Sequence, residues 1–524
     1  MTNPLAVTGG NLTIEDVVGV ARGGLALAPL DDAVRKRMDR RRGWLDAVLA
    51  EGRHTIYGIN TGFGGLAHTP VGSDQMRRLS RNCVTSCTAG VGAPLPEEVV
   101  RAMMVIRANV IAQAVSAARP LVAETLIEML NRGVVPVVPR KGSLGASGDL
   151  APMSHIALVL SRGVEEHDTH CGEAWYEGER LPGDLAMERA GIGRVLLEPK
   201  EGVSLTNGTD FMVGQGALLV HDARAVHQHA MIAAAMSIEA VRARVQSIHP
   251  AYHAAAGQPG QMRVAARMTR LLRGSGLAGG DPARVQDAYS LRCVPQVLGP
   301  GLDAVEYIAG GITRAINAVT DNPLVVPADD DADDWQILSG GNFHGEGPAF
   351  WLDYLAIVMT SVANISDRRI FRLLDPKLNE GLPAMLVHGS GVDTGLMVAQ
   401  YTSAALVSDC KTLAHPDSVD SIPTSADQED YVSMGANGAR HAAEVLENVR
   451  KVVAIELLVA AQAIDMREGG VERMAPATRA AYDLIRERVP VQEHDRPLSP
   501  GMDAVDELVR SGELLTAVER ALAG

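Results

Sequence analysis

Aromatic side chains are scarce in this 524-residue chain, with Phe, Trp and Tyr making up only 3% of it. A core of that size has to be filled by Ala, Val, Leu, Ile and Met, which favours packed helices over a sandwich of sheets. Cysteine is sparse too: Cys83, Cys87, Cys171, Cys293 and Cys410 are an odd, dispersed set, better suited to reduced thiols than to a disulfide framework. Cys83 and Cys87 lie four apart, and the second pair that a zinc site would want is missing. Positive charge is in deficit. With 48 Lys and Arg against 63 Asp and Glu the net charge is −15, which argues against a nucleic-acid partner, because such binding draws on clustered cations to release counterions. No run of 18 apolar residues occurs, and the opening MTNPLAVTGGNLTIEDVVGV lacks the basic start and apolar core of a leader. The expectation is a cytoplasmic protein with no membrane partner.

What is present is ordinary globular composition, 46% hydrophobic and 21% charged, in a chain long enough for roughly two to four domain-sized units. Helical periodicity dominates. In 441–466, Val445, Val449, Val452 and Leu458 recur near three-to-four spacing with charge between them, and comparable patterns run through 97–117, 213–244 and 347–373. Long helices with Ala-rich seams predict a bundle, continued across subunits. The acidic stretch PADDDADDW (327–335) reads as a solvated tip, since its acids have no spacing glycine or partner ligands. His221, His227 and His229 do not share a helix face and read as surface or interface residues.

Two Gly-rich stretches break the helical pattern. YGINTGFGGLAHTP (57–70), with Tyr57 and Gly64, reads as a loop with close backbone approaches. GSLGASGDLAP (142–152) packs Gly145, Ala146, Ser147 and Gly148 before Asp149. If the Gly148 nitrogen meets the Ala146 carbonyl carbon, ring closure and loss of two waters, one of them from Ser147, leave a methylidene-imidazolone, an electrophile made from the chain itself. The alternative is a small-residue turn before a helix capped by Asp149. Two hydrolase signatures are incomplete: Ser408 and Lys411 form S-x-x-K without its companions, and Gly148 follows Ser147 one residue too early for a nucleophile elbow.

The surroundings decide between the two readings of 146–148. YGINTGFG, RANV (107–110), KGSLGASGDLAP, LTNGT (205–209), QDAYSLRC (286–293), TDNPL (320–324), GGNFHGE (340–346) and DSIPTSADQEDYVSMG (420–435) occur in this order. Together they resemble the aromatic amino acid ammonia-lyase family, which includes histidine, phenylalanine and tyrosine ammonia-lyases and the tyrosine aminomutases, over about residues 10–470. The resemblance implies a mainly α fold, the long-helix bundle of the ammonia-lyase (fumarase/aspartase-like) superfamily, with a cofactor-bearing N-terminal domain over 1–205 and a helical bundle with a C-terminal helical region over 206–524. It also implies a homotetramer with shared active sites. The cofactor would be 4-methylideneimidazol-5-one from Ala146, Ser147 and Gly148, with no external cofactor and no metal. Tyr57 matches the family's base, for which its phenol would have to be lowered from near 10 by donors or positive charge. Arg292 would clamp the substrate carboxylate. Tyr289, Asn207 and Gln286 match positions near the cofactor and the substrate's polar end, and Phe343 borders the cofactor. Asp149 is expected either to help cofactor formation or to cap the next helix.

Two places bear on the substrate, a small aromatic amino acid. Gln428-Glu429-Asp430 resembles the histidine branch, where the phenylalanine and tyrosine enzymes have an amide for the glutamate; a carboxylate there would accept a ring N–H. Ser86-Cys87, by contrast, stands where histidine enzymes usually have Ser-His, and Tyr431 and Asp210 also depart from that branch. A thiol is smaller than imidazole and a poor hydrogen-bond partner. Histidine, giving urocanate, is the first choice; tyrosine, DOPA, 3-aminotyrosine or tryptophan, or a 2,3-aminomutase reaction, are the alternatives. A silent scaffold homologue would be expected to have lost Tyr57, Ser147 or Arg292, and all three are present.

Overall fold

The computed structural model describes residues 3–146, 148–279, 285–328, 335–389 and 391–523; Ser147 and the centre of the acidic stretch, 329–334, lie outside them. Four helices far exceed the usual length: Asp210–Ala240, Val294–Ile316, Glu346–Leu374 and Gly435–Asp465. Three of these match the periodic stretches of the sequence to within a few residues. The fourth periodic stretch, 97–117, is helical only over Glu97–Ala112, because Ala114 and Ala117 adopt positive φ (71° and 53°) and turn the chain away. Strands among the described residues are short, no sheet exceeding three of them.

By packing, the chain forms two compact units, each gathered from three segments: 1–221, 309–353 and 416–440 in the first, 222–308, 354–415 and 441–524 in the second. The division expected at 205/206 follows chain order, whereas these units interleave it. In the first unit, helix Glu97–Ala112 is buried from Ala102 to Ala112 on every side, which is why its apolar pattern is broad and not a stripe. Arg107 lies in this run, ion-paired to Asp210 at the start of the 210–240 helix. The hairpin Leu324–Pro327/Trp335–Leu338 pairs Leu324 with Leu338, so Asn322 and the Ser339-Gly340 pair meet at its open end.

In the second unit the buried Glu456 accepts from Arg369 Nε (2.5 Å) and Nη2 (2.8 Å), from Ser237 (2.7 Å) and from Ser366. Such a fully paired charge is tolerated in a core. Helix Glu346–Leu374, which carries Arg369, is long and apolar enough to cross a membrane by length and composition; the buried ion pair on it belongs to a core helix. His227 and His229 are also buried, contrary to the surface reading, and burial lowers both imidazoles to about 4. Their helix is apolar on nearly all sides, so periodicity alone could not assign their face.

Candidate active site

A cavity of about 270 Å³ opens in the first unit, lined among others by Tyr57, Gly64, Ser86, Cys87, Asn207, Phe343, Gln428 and Glu429. The eight come from segments separated by up to several hundred residues. The 57–64 loop is shaped by its glycines: Gly64 has φ +52°, and a Cβ on it would overlap the Ser425 hydroxyl. That hydroxyl accepts from Gly65 N at 3.0 Å, which docks the loop on the segment carrying Gln428 and Glu429. Ser425, Ala426 and Asp427 all adopt positive φ, and Thr424 donates its hydroxyl to Glu429 Oε2 at 3.1 Å. Together these contacts hold the Glu429 carboxylate at the wall.

Tyr57 stands edge-on to Phe63, and its oxygen accepts from Gly64 N at 3.0 Å. Burial raises its pKa, Glu429 and the thiols of Cys83 and Cys87 raise it further, and the Gly64 amide alone opposes them. The lowering expected from neighbouring positive charge is therefore not found within this unit. Across the cavity, helix Met76–Cys87 presents Cys83, Ser86 and Cys87. The neighbouring Cys83 thiol holds Cys87 down, at about 7, and the Cys87 thiol together with burial pushes Cys83 up.

Gly148 adopts φ +73°, and a Cβ on it would overlap the Gly208 carbonyl. Only glycine fits where this turn meets the LTNGT segment, and Asp149 N donates to the same carbonyl at 2.5 Å. Leu150, next along, reaches the cavity wall. Asp149 makes no side-chain cap on its own helix, Leu150–Leu160. Its carboxylate instead accepts from Met212 N (3.1 Å), in the first turn of helix Asp210–Ala240, and from the Ser143 hydroxyl (2.9 Å). Complete burial raises this carboxyl to about 7 despite those bonds. The capping expectation thus fails for the helix that follows, and the carboxylate ties the 143–149 turn to a different helix.

Asn207 ends helix Glu201–Thr206; its Nδ2 donates to the Asn322 carbonyl at 3.3 Å, while its buried Oδ1 has no partner among the described residues. Asn322 is in turn fixed by Gly340 N on its Oδ1 (2.7 Å) and by Asp321 Oδ1 on its backbone amide (2.6 Å). Asp321 is held by the buried Lys200, Nζ to Oδ2 at 2.5 Å. Sequence reasoning quoted TDNPL without giving Asn322 a role, and it passed over Cys83 as a lining residue although its helical spacing from Cys87 puts both on one face. Gln286, Tyr289 and Arg292 do not line this cavity. They belong to the second unit, where the Tyr289 ring is 70% exposed, Arg292 lies over it at 4.7 Å and the Arg292 Nε is buried without a partner among the described residues.

Known proteins resemble the chain over nearly its whole length. The aromatic amino acid lyase family model covers residues 12–487. The chain is a member of that family. It is 47% identical to the histidine ammonia-lyase of Symbiobacterium thermophilum, across 98% of both chains. Among solved structures, the tyrosine aminomutase of Streptomyces globisporus superposes with TM-score 0.91 at 34% identity, covering 99% of each chain. The histidine ammonia-lyase of Trypanosoma cruzi does so with TM-score 0.88 at 37% identity, covering 99% of this chain and 96% of that one. The lyase therefore has the mainly helical fold its sequence implied.

Proposed function

We propose that this lyase eliminates ammonia from L-histidine to give urocanate, and that Ala146, Ser147 and Gly148 form the methylidene-imidazolone that the reaction requires. The observation that carries the substrate reading is the Glu429 carboxylate, held on the cavity wall beside Gln428, where it accepts a ring N–H. The identity to histidine ammonia-lyases over the whole chain supports the same reading. The residues beside Ser147 fit the cofactor: Gly148 has the free dihedrals and unhindered nitrogen that ring closure needs, and the unpartnered Oδ1 of Asn207 leaves an acceptor at the cavity. When formed, the group would supply an electrophilic carbon that makes the substrate amine a better leaving group.

The chain's own residues do the remainder. Tyr57 takes the β-proton as general base, Asn207 steadies the substrate's polar end, and Phe343, Ser86 and Cys87 shape the ring pocket. Gln286, Tyr289 and Arg292 come from a neighbouring subunit of a homotetramer: the exposed Tyr289 and the unpartnered Arg292 Nε support this, and a guanidinium brought to Tyr57 would supply the missing positive charge. The apolar groove lined by Ile357, Ala404 and Val407, with Tyr354 and Tyr401 exposed on the same two helices, supports an assembly through helix faces. We place the lyase in the cytoplasm.

One observation favours a second reading. Cys87 leaves the ring pocket roomier than an imidazole side chain would, which suits a larger arylalanine with a ring O–H or N–H, handled by a lyase or an aminomutase. A panel of histidine, tyrosine, phenylalanine, tryptophan, DOPA and 3-aminotyrosine, with ultraviolet spectra for acrylates and chromatography for β-amino acids, separates the two. Urocanate as the dominant product supports the histidine reading; another acrylate or a β-amino acid, with histidine inert, replaces it.

A further inference from the structure

The proposed elimination leaves Cys83 without a task, yet it lines the cavity together with Cys87 on one face of helix Met76–Cys87. In an α-helix, residues four apart have Cα atoms about 6.2 Å apart, within the span of roughly 4.4–6.8 Å that disulfides bridge, but their Cβ atoms, about 5–6 Å apart, must close to about 3.5–4.5 Å, which requires the last turn to shift. Cys87 is the last residue of the helix, and Thr88 already leaves helical geometry (φ −76°, ψ 71°), so the turn carrying Cys87 can move without unwinding the rest. Both thiols are free, and the Cys83 thiol lies 3.8 Å from the Thr206 hydroxyl on the same cavity wall. None of the other three cysteines has a second cysteine nearby in sequence, and burial pushes Cys410 up to about 11.

We propose that Cys83 and Cys87 form a peroxide-reactive dithiol site that closes to an intrahelical disulfide and reversibly disables the cavity. The Cys87 thiolate attacks one oxygen of hydrogen peroxide, the O–O bond breaks, and hydroxide leaves, giving a sulfenic acid. The Cys83 sulfur then displaces that hydroxyl, with its own proton lost, so that one S–S bond forms and one water departs. The thiolate needed for the first step is available near neutral pH because Cys87 is held at about 7. Closing the bond draws the Cys87 sulfur to about 2.05 Å from that of Cys83, replaces two separate thiols on the cavity wall with one bridged pair, and shifts the neighbouring Ser86. Displacements of about 1 Å at a substrate-positioning wall cost on the order of a hundredfold in rate.

The test is peptide mapping of the full-length protein after brief peroxide treatment and alkylation. Trypsin releases Asn82–Arg101, which contains Cys83 and Cys87 and no other cysteine. The expected result is a peptide two hydrogens lighter that resists alkylation, with activity lost in parallel and both restored by dithiothreitol. In Cys83→Ala no disulfide should form, and Cys87 should be trapped by dimedone as a sulfenic acid that, untrapped, goes on to irreversible products. Two alkylatable thiols in Asn82–Arg101 after inactivating peroxide, or a disulfide formed with activity intact, would overturn the proposal. The peptide readout does not depend on which amino acid the lyase uses, so failure here is distinct from failure of the histidine reading.

Discussion

Tyr57 holds its proton more tightly than a free tyrosine in a single protomer, because it is buried and the ionisable groups around it are a carboxylate and thiols. Removing the hydroxyl with Tyr57→Phe should lower kcat by about 10²–10⁴ with little change in KM, read from the rate of acrylate formation. Glu429→Gln should cost about 10–100-fold in kcat/KM for histidine, the range of a lost charge-assisted hydrogen bond, while leaving phenylalanine, which has no ring N–H, unaffected or improved. An equal loss for both substrates would remove Glu429 from ring recognition. Among single residues, Tyr57, Gly64 and Glu429 were legible in the sequence because each sits inside a family-like motif, and Cys87 because it stands where the histidine branch usually has His. Asn322 sits inside TDNPL, yet its role was not legible: its backbone carbonyl accepts from Asn207 Nδ2, 115 residues away, and no local pattern encodes that pairing.

The elements around the cavity are set by two devices, glycine-only turns and buried ions. Lys200 and Asp321 are both buried and paired to each other. Lys200→Met leaves Asp321 without its cation and should destabilise the fold by about 3–5 kcal/mol, seen as a lowered thermal midpoint, and the double variant Lys200→Met/Asp321→Leu should regain part of that loss. Asp149 offers a pH test. Its carboxyl is raised to about 7 in the fold, against about 3.9 in an unfolded chain, so between those values the native state holds a proton the unfolded state has released. The associated stability is present below about pH 4 and is lost as pH rises through 7. The thermal midpoint of Asp149→Asn should therefore rise relative to wild type between about pH 4 and about pH 7 and level off above that; a constant difference across that range would contradict the buried-acid account. Helix positions were legible from periodicity, as Asp210–Ala240 and Glu346–Leu374 illustrate. Which side of such a helix is buried was not, and His227 and His229 were misplaced for that reason.

At the scale of the whole molecule, the account requires more than one chain. If Tyr57 and Arg292 of one site come from different subunits, mixing the inactive variants Tyr57→Phe and Arg292→Lys after partial unfolding and refolding should restore up to about a quarter of wild-type activity, as random assembly of shared sites allows; no recovery would place both residues in one chain. Introducing Lys at Ile357, in the exposed apolar groove, should split the assembly in light scattering and abolish activity without touching the cavity. The measurement that bears most directly on the central claim is the incubation of purified protein with L-histidine, with urocanate and ammonia quantified together. The account predicts both products in equal amounts and no β-amino acid. Histidine left unchanged, while another arylalanine is consumed, would contradict it.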